Sequence, residues 1–220
     1  MAQIAEDLLL LLLDNARARP ALDPDRREKV LSAAVLLDLA FACRIRPAVD
    51  GEGVRADRLL LLAGPAFNDP VLDTAVRVLQ RRPLSAKAAV AKLRRGIEPA
   101  LLGQLEQAGQ IRPIQLRRNR FRQPQVWPLT NRCRVDRARS AVLAALFDLH
   151  CPAPPTAAII SLLHPADGLG ALLSLNDRGW RWVHARAGEI ASGCWVDESS
   201  ADLSEVNLAV TVSAVRQALA

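Results

Sequence analysis

The chain is nearly without lysine and poor in aromatics: none of its 220 residues is Tyr, only three are Lys, and 26 are Arg. That bias is what a GC-rich, bacterial coding sequence produces. Its four cysteines, Cys43, Cys133, Cys151 and Cys194, are far apart, with no CxxC pair and no His at ligand spacing. A zinc site and a disulfide framework are therefore not expected, and reduced thiols are. No apolar run approaches the length of a bilayer span. The six consecutive leucines Leu8 to Leu13 are too few to cross one. They follow Glu6 and Asp7 rather than a basic segment, and no small-residue cleavage site comes after them, so a signal peptide is not expected either. The expectation is a soluble, cytoplasmic protein whose membrane contact, if any, is peripheral.

Catalytic signatures are missing too. There is no nucleophile elbow, phosphate-binding glycine loop, dinucleotide fingerprint or metal-ligand cluster. His150, His164 and His184 lack a paired Cys or carboxylate at useful spacing and read as packing or capping residues. Asp23-Pro24-Asp25 places two acids ahead of a helix start, which is the pattern of an N-cap with favourable dipole charge. No enzyme and no cofactor are expected.

What the chain does have is one strongly cationic stretch. Residues Arg112 to Arg139 hold nine arginines against Asp136 alone, a net +8, while the whole chain carries +6, so everything else sums to −2. Within the stretch, Ile111 to Leu116 and Phe121 to Trp127 look extended, and Arg118-Asn119-Arg120 sits where a hairpin would turn, Asn being tolerant of left-handed backbone. Pro128-Leu129-Thr130 breaks the second strand, and Thr130 or Asn131 can cap a following helix. A solvated edge strand blunted by charge is the plain alternative to a polyanion-binding surface.

Taken in order, the remaining pattern is mainly helical, and with no linker or fixed-period repeat it predicts a single domain over residues 1–220. Ile4 to Leu13 reads as a short, fully buried helix, and Arg26 to Arg44 as a core helix with a broad apolar face. Ile45 to Val49 and Arg58 to Ala63 flank an Asp50-Gly51-Glu52-Gly53 turn and predict a hairpin. Asn68 or Asp69 caps a helix over Val71 to Gln80. Ser85 caps another to Arg95, Gly96 interrupts, and Glu98 to Ala108 continues until Gly109. Beyond the basic hairpin, Asn131 to His150 is expected as a long, central, largely buried helix with Val135, Ala138, Val142, Leu143, Leu146 and Phe147 inward, stopped by Pro152, Pro154 and Pro155. Ile159 to Leu163, Asp177 to Ile190 (Trp182 and Ala185 inward) and Leu203 to Leu219 complete the set. Trp180, Trp182 and Trp195 are core candidates, whereas Trp127, beside the arginines, is a candidate for a membrane interface.

The ordered segments IAEDLLLLLLD, VLLDLAFACRI, DPVLDTAVRVLQ, LLGQLEQAGQI, the basic hairpin, WPLTN and SEVNLAVTVSAV resemble the Golgi phosphoprotein family, which includes the yeast vacuolar sorting adaptor and many bacterial relatives. The resemblance spans nearly the whole chain. It implies a mainly helical fold around a central bundle without enzymatic activity. It also implies phosphatidylinositol 4-phosphate binding and capture of the cytosolic tails of membrane proteins, as in eukaryotic members. The family's headgroup pocket uses a Trp before the second helix, an Arg near that helix's start and two basic residues ahead of the hairpin. Here no Trp precedes Trp127, so the pocket Trp is missing around Asp23 and Pro24. The Arg position falls on Ser32; Arg95 keeps one basic position and Glu98 stands at the other.

The functional expectation is a peripheral protein on the cytosolic face of a membrane. Anionic lipid would be held by Arg95, Arg117, Arg118, Arg120, Arg122, Arg132 and Arg134, with Phe121 and Trp127 inserting. Homo-oligomerisation is compatible with this reading. The rival is a winged-helix nucleic-acid binder with Ser85 to Ala108 as helix-turn-helix and the hairpin as wing. Its would-be recognition helix, however, carries Glu98, Gln104, Glu106 and Gln107 and no Lys or Arg, a poor surface to offer phosphates.

Overall fold

The computed structural model describes residues 3–115, 125–196 and 202–219. The first helix, α1 (Gln3–Leu13), has all six leucines at 1% exposure or less. A helix apolar on every side must be enclosed on every side. Its N-terminus begins inside the protein, so the orphan amides of the first turn need acceptors there. Asp38 provides them: Ile4 N–H donates to Oδ1 at 2.8 Å and Ala5 N–H to Oδ2 at 3.0 Å. Burial pushes the Asp38 pKa up to about 8 even though both amide bonds pull the other way.

Asp38 belongs to α2 (Pro24–Phe41), which starts with Pro24 in its first turn and with the Asp23 carboxylate accepting from Arg26 N–H at 3.1 Å. Every residue from Val30 to Ala40 is buried, Ser32 and Asp38 included. The chain then forms a hairpin from β1 (Ile45–Pro47) and β2 (Arg58–Leu61), with Ile45 opposite Leu61 and Pro47 opposite Leu59. After α3 (Pro70–Gln80), capped by Asp69, the two-residue strand β3 (Leu84–Ser85) pairs with β2 to complete a three-stranded antiparallel sheet. So short a strand carries no period to read in the sequence.

Ser85 also caps α4 (Ala86–Gln107), accepting from Ala88 N–H at 3.3 Å. This helix is kinked where Arg95 is extended (ψ 112°) and Gly96 takes φ 97°, a left-handed conformation costly to any side chain. Past the basic segment come α5 (Cys133–Phe147), α6 (Pro154–Leu163), a 3₁₀ turn (Leu169–Ala171), α7 (Asp177–Ala191) and α8 (Leu203–Arg216). The bundle is organised on α2, which packs against α1, α3, α4, α6 and α8.

Three expectations need correction. The central helix is α2, not α5. Only Val135, Val142, Ala145 and Leu146 of α5 are buried, Leu143 and Ala138 are half-buried, and Phe147 is 38% exposed. A helix carrying Arg134, Asp136, Arg137 and Arg139 has a charged side that no core can accept. Second, α6 starts at Pro154 rather than Ile159: two of the prolines that follow α5 supply the first turn of the next helix, where a missing N–H costs nothing. Third, α7 is rotated from its expected register. Val183, Ala187 and Ile190 face inward, while Ala185 and Trp182 face out, the latter 41% exposed and stacked on Phe147 with ring centroids 5.7 Å apart. Trp195 is buried as expected.

Candidate functional site

The basic segment is fastened to the bundle at its stem. Gly109, at φ 66°, ends α4, and Gln110 N–H returns to Leu105 C=O at 2.8 Å. Two strands then rise together. Ile111 bridges Leu129, Arg112 N–H donates to Pro128 C=O at 3.1 Å, and β4 (Ile114–Gln115) pairs antiparallel with β5 (Gln125–Val126). Ile111 and Val126 are buried beneath the ladder. Trp127 is half-buried against the core, and its N–H donates to Ala18 C=O at 2.7 Å, tying the stem to the loop between α1 and α2. Arg117, Arg118, Arg120, Phe121 and Arg122 lie outside the described residues.

The arginines that open α5 are described, and each but one meets a carboxylate of the protein itself. Arg134 Nη1 pairs with Glu6 at 2.7 Å and Nε with Asp7 at 2.6 Å. Arg132 and Arg139 converge on Asp14, both at 2.8 Å, and Arg139 also donates to Leu172 C=O at 3.2 Å. Arg132 lies 3.6 Å from Asp136 as well. Arg137 alone in this group has no ion pair among the described residues, though its field reaches Asp7. Burial disfavours the Arg134 charge, but Asp7 and Glu6 outweigh it and hold the guanidinium pKa above its ordinary value. Burial raises the Asp7 pKa, with Arg134 opposing. Three paired guanidiniums thus face four carboxylates. The acids at the head of α1 were legible in the sequence only as arguments against a leader, because the contacts span more than a hundred residues.

The region corresponding to the family's headgroup pocket is likewise balanced. Asp23 caps α2, and Ser32 is fully buried inside that helix with its Oγ unpartnered. Arg95 is exposed at the α4 kink. Glu98 is not an empty acid: Arg27 Nε donates to it at 2.9 Å, with the two side chains only 13% and 15% exposed. The same guanidinium donates to Leu22 C=O at 2.9 Å. Arg94 pairs with Asp25 and lies 3.6 Å from Glu28. Arg27 and Arg94 are local cations that sequence reasoning did not single out, since a lone Arg in a helix has no motif.

Among the described residues no group of three His, Cys, Asp or Glu side chains could hold a metal ion, and no helix is long and apolar enough to cross a membrane. No curated protein matches the chain. The family model described as Golgi phosphoprotein 3 (GPP34) matches residues 4–206, from the second residue of α1 into α8. With a mainly helical bundle, a stemmed basic segment after α4 and a match over almost its whole length, the chain belongs to the Golgi phosphoprotein 3 (GPP34) family.

Proposed function

We propose that this non-enzymatic protein is a peripheral membrane protein that binds anionic phospholipid through Arg117, Arg118, Arg120 and Arg122, with Phe121 inserting at the lipid boundary. The observation that carries this reading is a contrast in charge. Residues 116–124 hold four arginines and no acid, whereas Arg132, Arg134 and Arg139 are paired with Glu6, Asp7, Asp14 and Asp136. Arg132 and Arg134 then hold α5 to α1 and contribute less to lipid than the hairpin does, while exposed Arg95 and Arg137 extend the cationic surface. Each Arg near an anionic leaflet contributes about 1 kcal/mol, so four support reversible attachment. Attached in this way on the cytosolic face, the protein is positioned to bind the tails of membrane proteins as an adaptor.

Selectivity for phosphatidylinositol 4-phosphate is expected to be small. Glu98 engages the nearest buried guanidinium, so the preference over other lipids of equal charge stays below about tenfold, or about 1.4 kcal/mol. The nucleic-acid reading is weakened by the second half of α4, where Ile97, Leu101, Leu102 and Leu105 are buried and the outer side offers Ala100, Glu106 and Gln107.

Sedimentation with vesicles of graded anionic content tests the proposal. Binding should fall steeply with salt, because exposed charges are screened over about 8 Å at physiological ionic strength. Reversing Arg118, Arg120 and Arg122 to Glu should abolish it in a folded protein, and Phe121→Ala should weaken it while leaving the salt dependence. Unchanged vesicle binding by the triple variant sinks the mechanism. A tight duplex-DNA shift without vesicle binding transfers the hairpin to the rival reading.

A further inference from the structure

Helices α1, α5 and α6 leave a groove of about 480 Å³ between them. That is within the roughly 300–1,000 Å³ of small-molecule sites. It is open because α5 and the start of α6 line the seam with Ala138, Ala141 and Ala153, side chains too short to fill it. Pro155 and Ile159 complete the apolar wall. Along α5 the lining passes from Arg134 and Arg137 to Ala138 and Ala141, over about 10 Å of helix. The groove is thus charged at one end of its α5 wall and apolar at the other.

The charges say what fits there. Asp7, in the lining, is held by Arg134 Nε at 2.6 Å, and Glu6, outside the lining, takes Nη1 at 2.7 Å. Arg137 is exposed and lines the same groove. Its field reaches Asp7, but it has no ion pair among the described residues. Of the two guanidiniums in the lining, Arg137 is the one with its fork free. A guanidinium fork matches a carboxylate, which it binds through two parallel N–H···O bonds. Charge narrows the ligand further. Glu6, Asp7, Arg134 and Arg137 sum to zero, so a single negative charge on Arg137 is the most the cluster accommodates. A phosphate monoester, at about −1.5 to −2 near pH 7, would set excess charge against Asp7.

We propose that this groove binds a medium-chain aliphatic carboxylate, with the carboxylate on the Arg137 guanidinium and the chain against Ala138, Ala141, Pro155 and Ile159. The two halves of the ligand then match the two halves of the groove. Each methylene that the apolar wall covers should tighten binding by up to about fourfold, until the chain outgrows the groove. The site is separate from the hairpin, none of whose arginines lines it. The inference therefore goes beyond attachment to a membrane, and a dissolved ligand tests it with no membrane present.

Titration calorimetry on the full chain with octanoate, below the concentration at which it forms micelles, decides the matter. Octanoate should bind saturably, hexanoate and butyrate progressively more weakly, and acetate not measurably. Octylamine should not bind, and octyl phosphate should bind more weakly than octanoate. Arg137→Gln, at an exposed position, should weaken octanoate by about tenfold or more, and Arg137→Lys should recover only part of the loss. Ala141→Phe should fill the apolar half and abolish binding, with circular dichroism confirming the fold. Where that variant does not fold, the chain-length series and Arg137→Gln carry the decision. Absence of octanoate binding overturns the proposal. So does octylamine, octyl phosphate or acetate binding as tightly as octanoate, or an octanoate affinity unmoved by Arg137→Gln or by a folded Ala141→Phe. A protein that sediments with vesicles but ignores octanoate refutes the groove alone, and one that binds octanoate but no vesicle refutes the hairpin alone.

Discussion

Replacing Asp38 with Ala would strip the buried start of α1 of both its acceptors. The Ile4 and Ala5 amides donate to the two carboxyl oxygens at 2.8 and 3.0 Å, and Asp38 itself is 5% exposed, so water cannot take its place without opening the bundle. Leaving a buried donor unsatisfied costs about 1–3 kcal/mol, so two should cost about 2–6 kcal/mol near pH 5. That is a large part of the roughly 5–15 kcal/mol that holds a domain together. The sign of the pH dependence follows from the raised pKa. Between the ordinary 3.8 of the unfolded chain and about 8 in the folded one, the folded protein binds a proton that the unfolded chain has lost. Wild-type stability attributable to Asp38 is therefore fully present below the lower value and declines through that window, by at most about 1.4 kcal/mol per pH unit. The Asp38→Ala variant lacks this slope, so its deficit should shrink as pH rises toward 8. Guanidinium denaturation of the two proteins at several pH values measures it. A deficit below about 1 kcal/mol near pH 5 would refute the capping role. A deficit that grows with pH would show instead that the amides and the α1 dipole hold Asp38 ionised.

Other expectations are simpler. Leu146→Ala, at a fully buried position of α5, should cost about 2–5 kcal/mol in chemical denaturation, whereas Leu143→Ala, half-buried on the same helix, should cost clearly less. Equal losses would put α5 deeper in the bundle than described. Arg134→Ala removes the partner of nearly buried Glu6 and should destabilise by about 3–5 kcal/mol, while Arg132→Ala, whose side chain is 60% exposed, should cost clearly less. High salt should leave most of the Arg134→Ala deficit in place, because its 2.6 and 2.7 Å contacts are enclosed, and should shrink the Arg132→Ala deficit by screening the exposed pair.

The helices were legible in the sequence because their period and caps are local. Asp23, Asp69 and Ser85 each sit where a cap was expected and accept from the first turn, and Gly96 breaks α4 as its residue type suggests. What failed was three-dimensional ranking. Nothing within Asn131 to His150 reveals that its arginines find carboxylates on α1, so its apolar residues suggested a central helix and its charges a free surface. The same blindness concealed the Arg27–Glu98 pair, whose members are 71 residues apart. In α7 the pattern of Trp, Val and Ala admits two registers, and aromatic size favoured the wrong one. Trp182 instead finds Phe147 as an outer partner. The family likeness, carried by ordered segments rather than by any one motif, was available from the sequence and is shown by the match over residues 4–206.

The enclosure of α1 also constrains how the protein can be made. Of the helices in the bundle this one is synthesised first, yet its leucines are covered by α2, α4, α5 and α6, the last of which ends at Leu163. About 150 residues must follow before its shell is complete, or about 8–30 s at ordinary translation speeds of about 5–20 residues per second. During that interval six consecutive leucines stand in a nascent chain with only part of their packing available. They form the sort of segment that holdase chaperones bind and through which nascent chains aggregate. The protein should therefore be more sensitive to chaperone supply and translation rate during synthesis than its finished bundle would suggest.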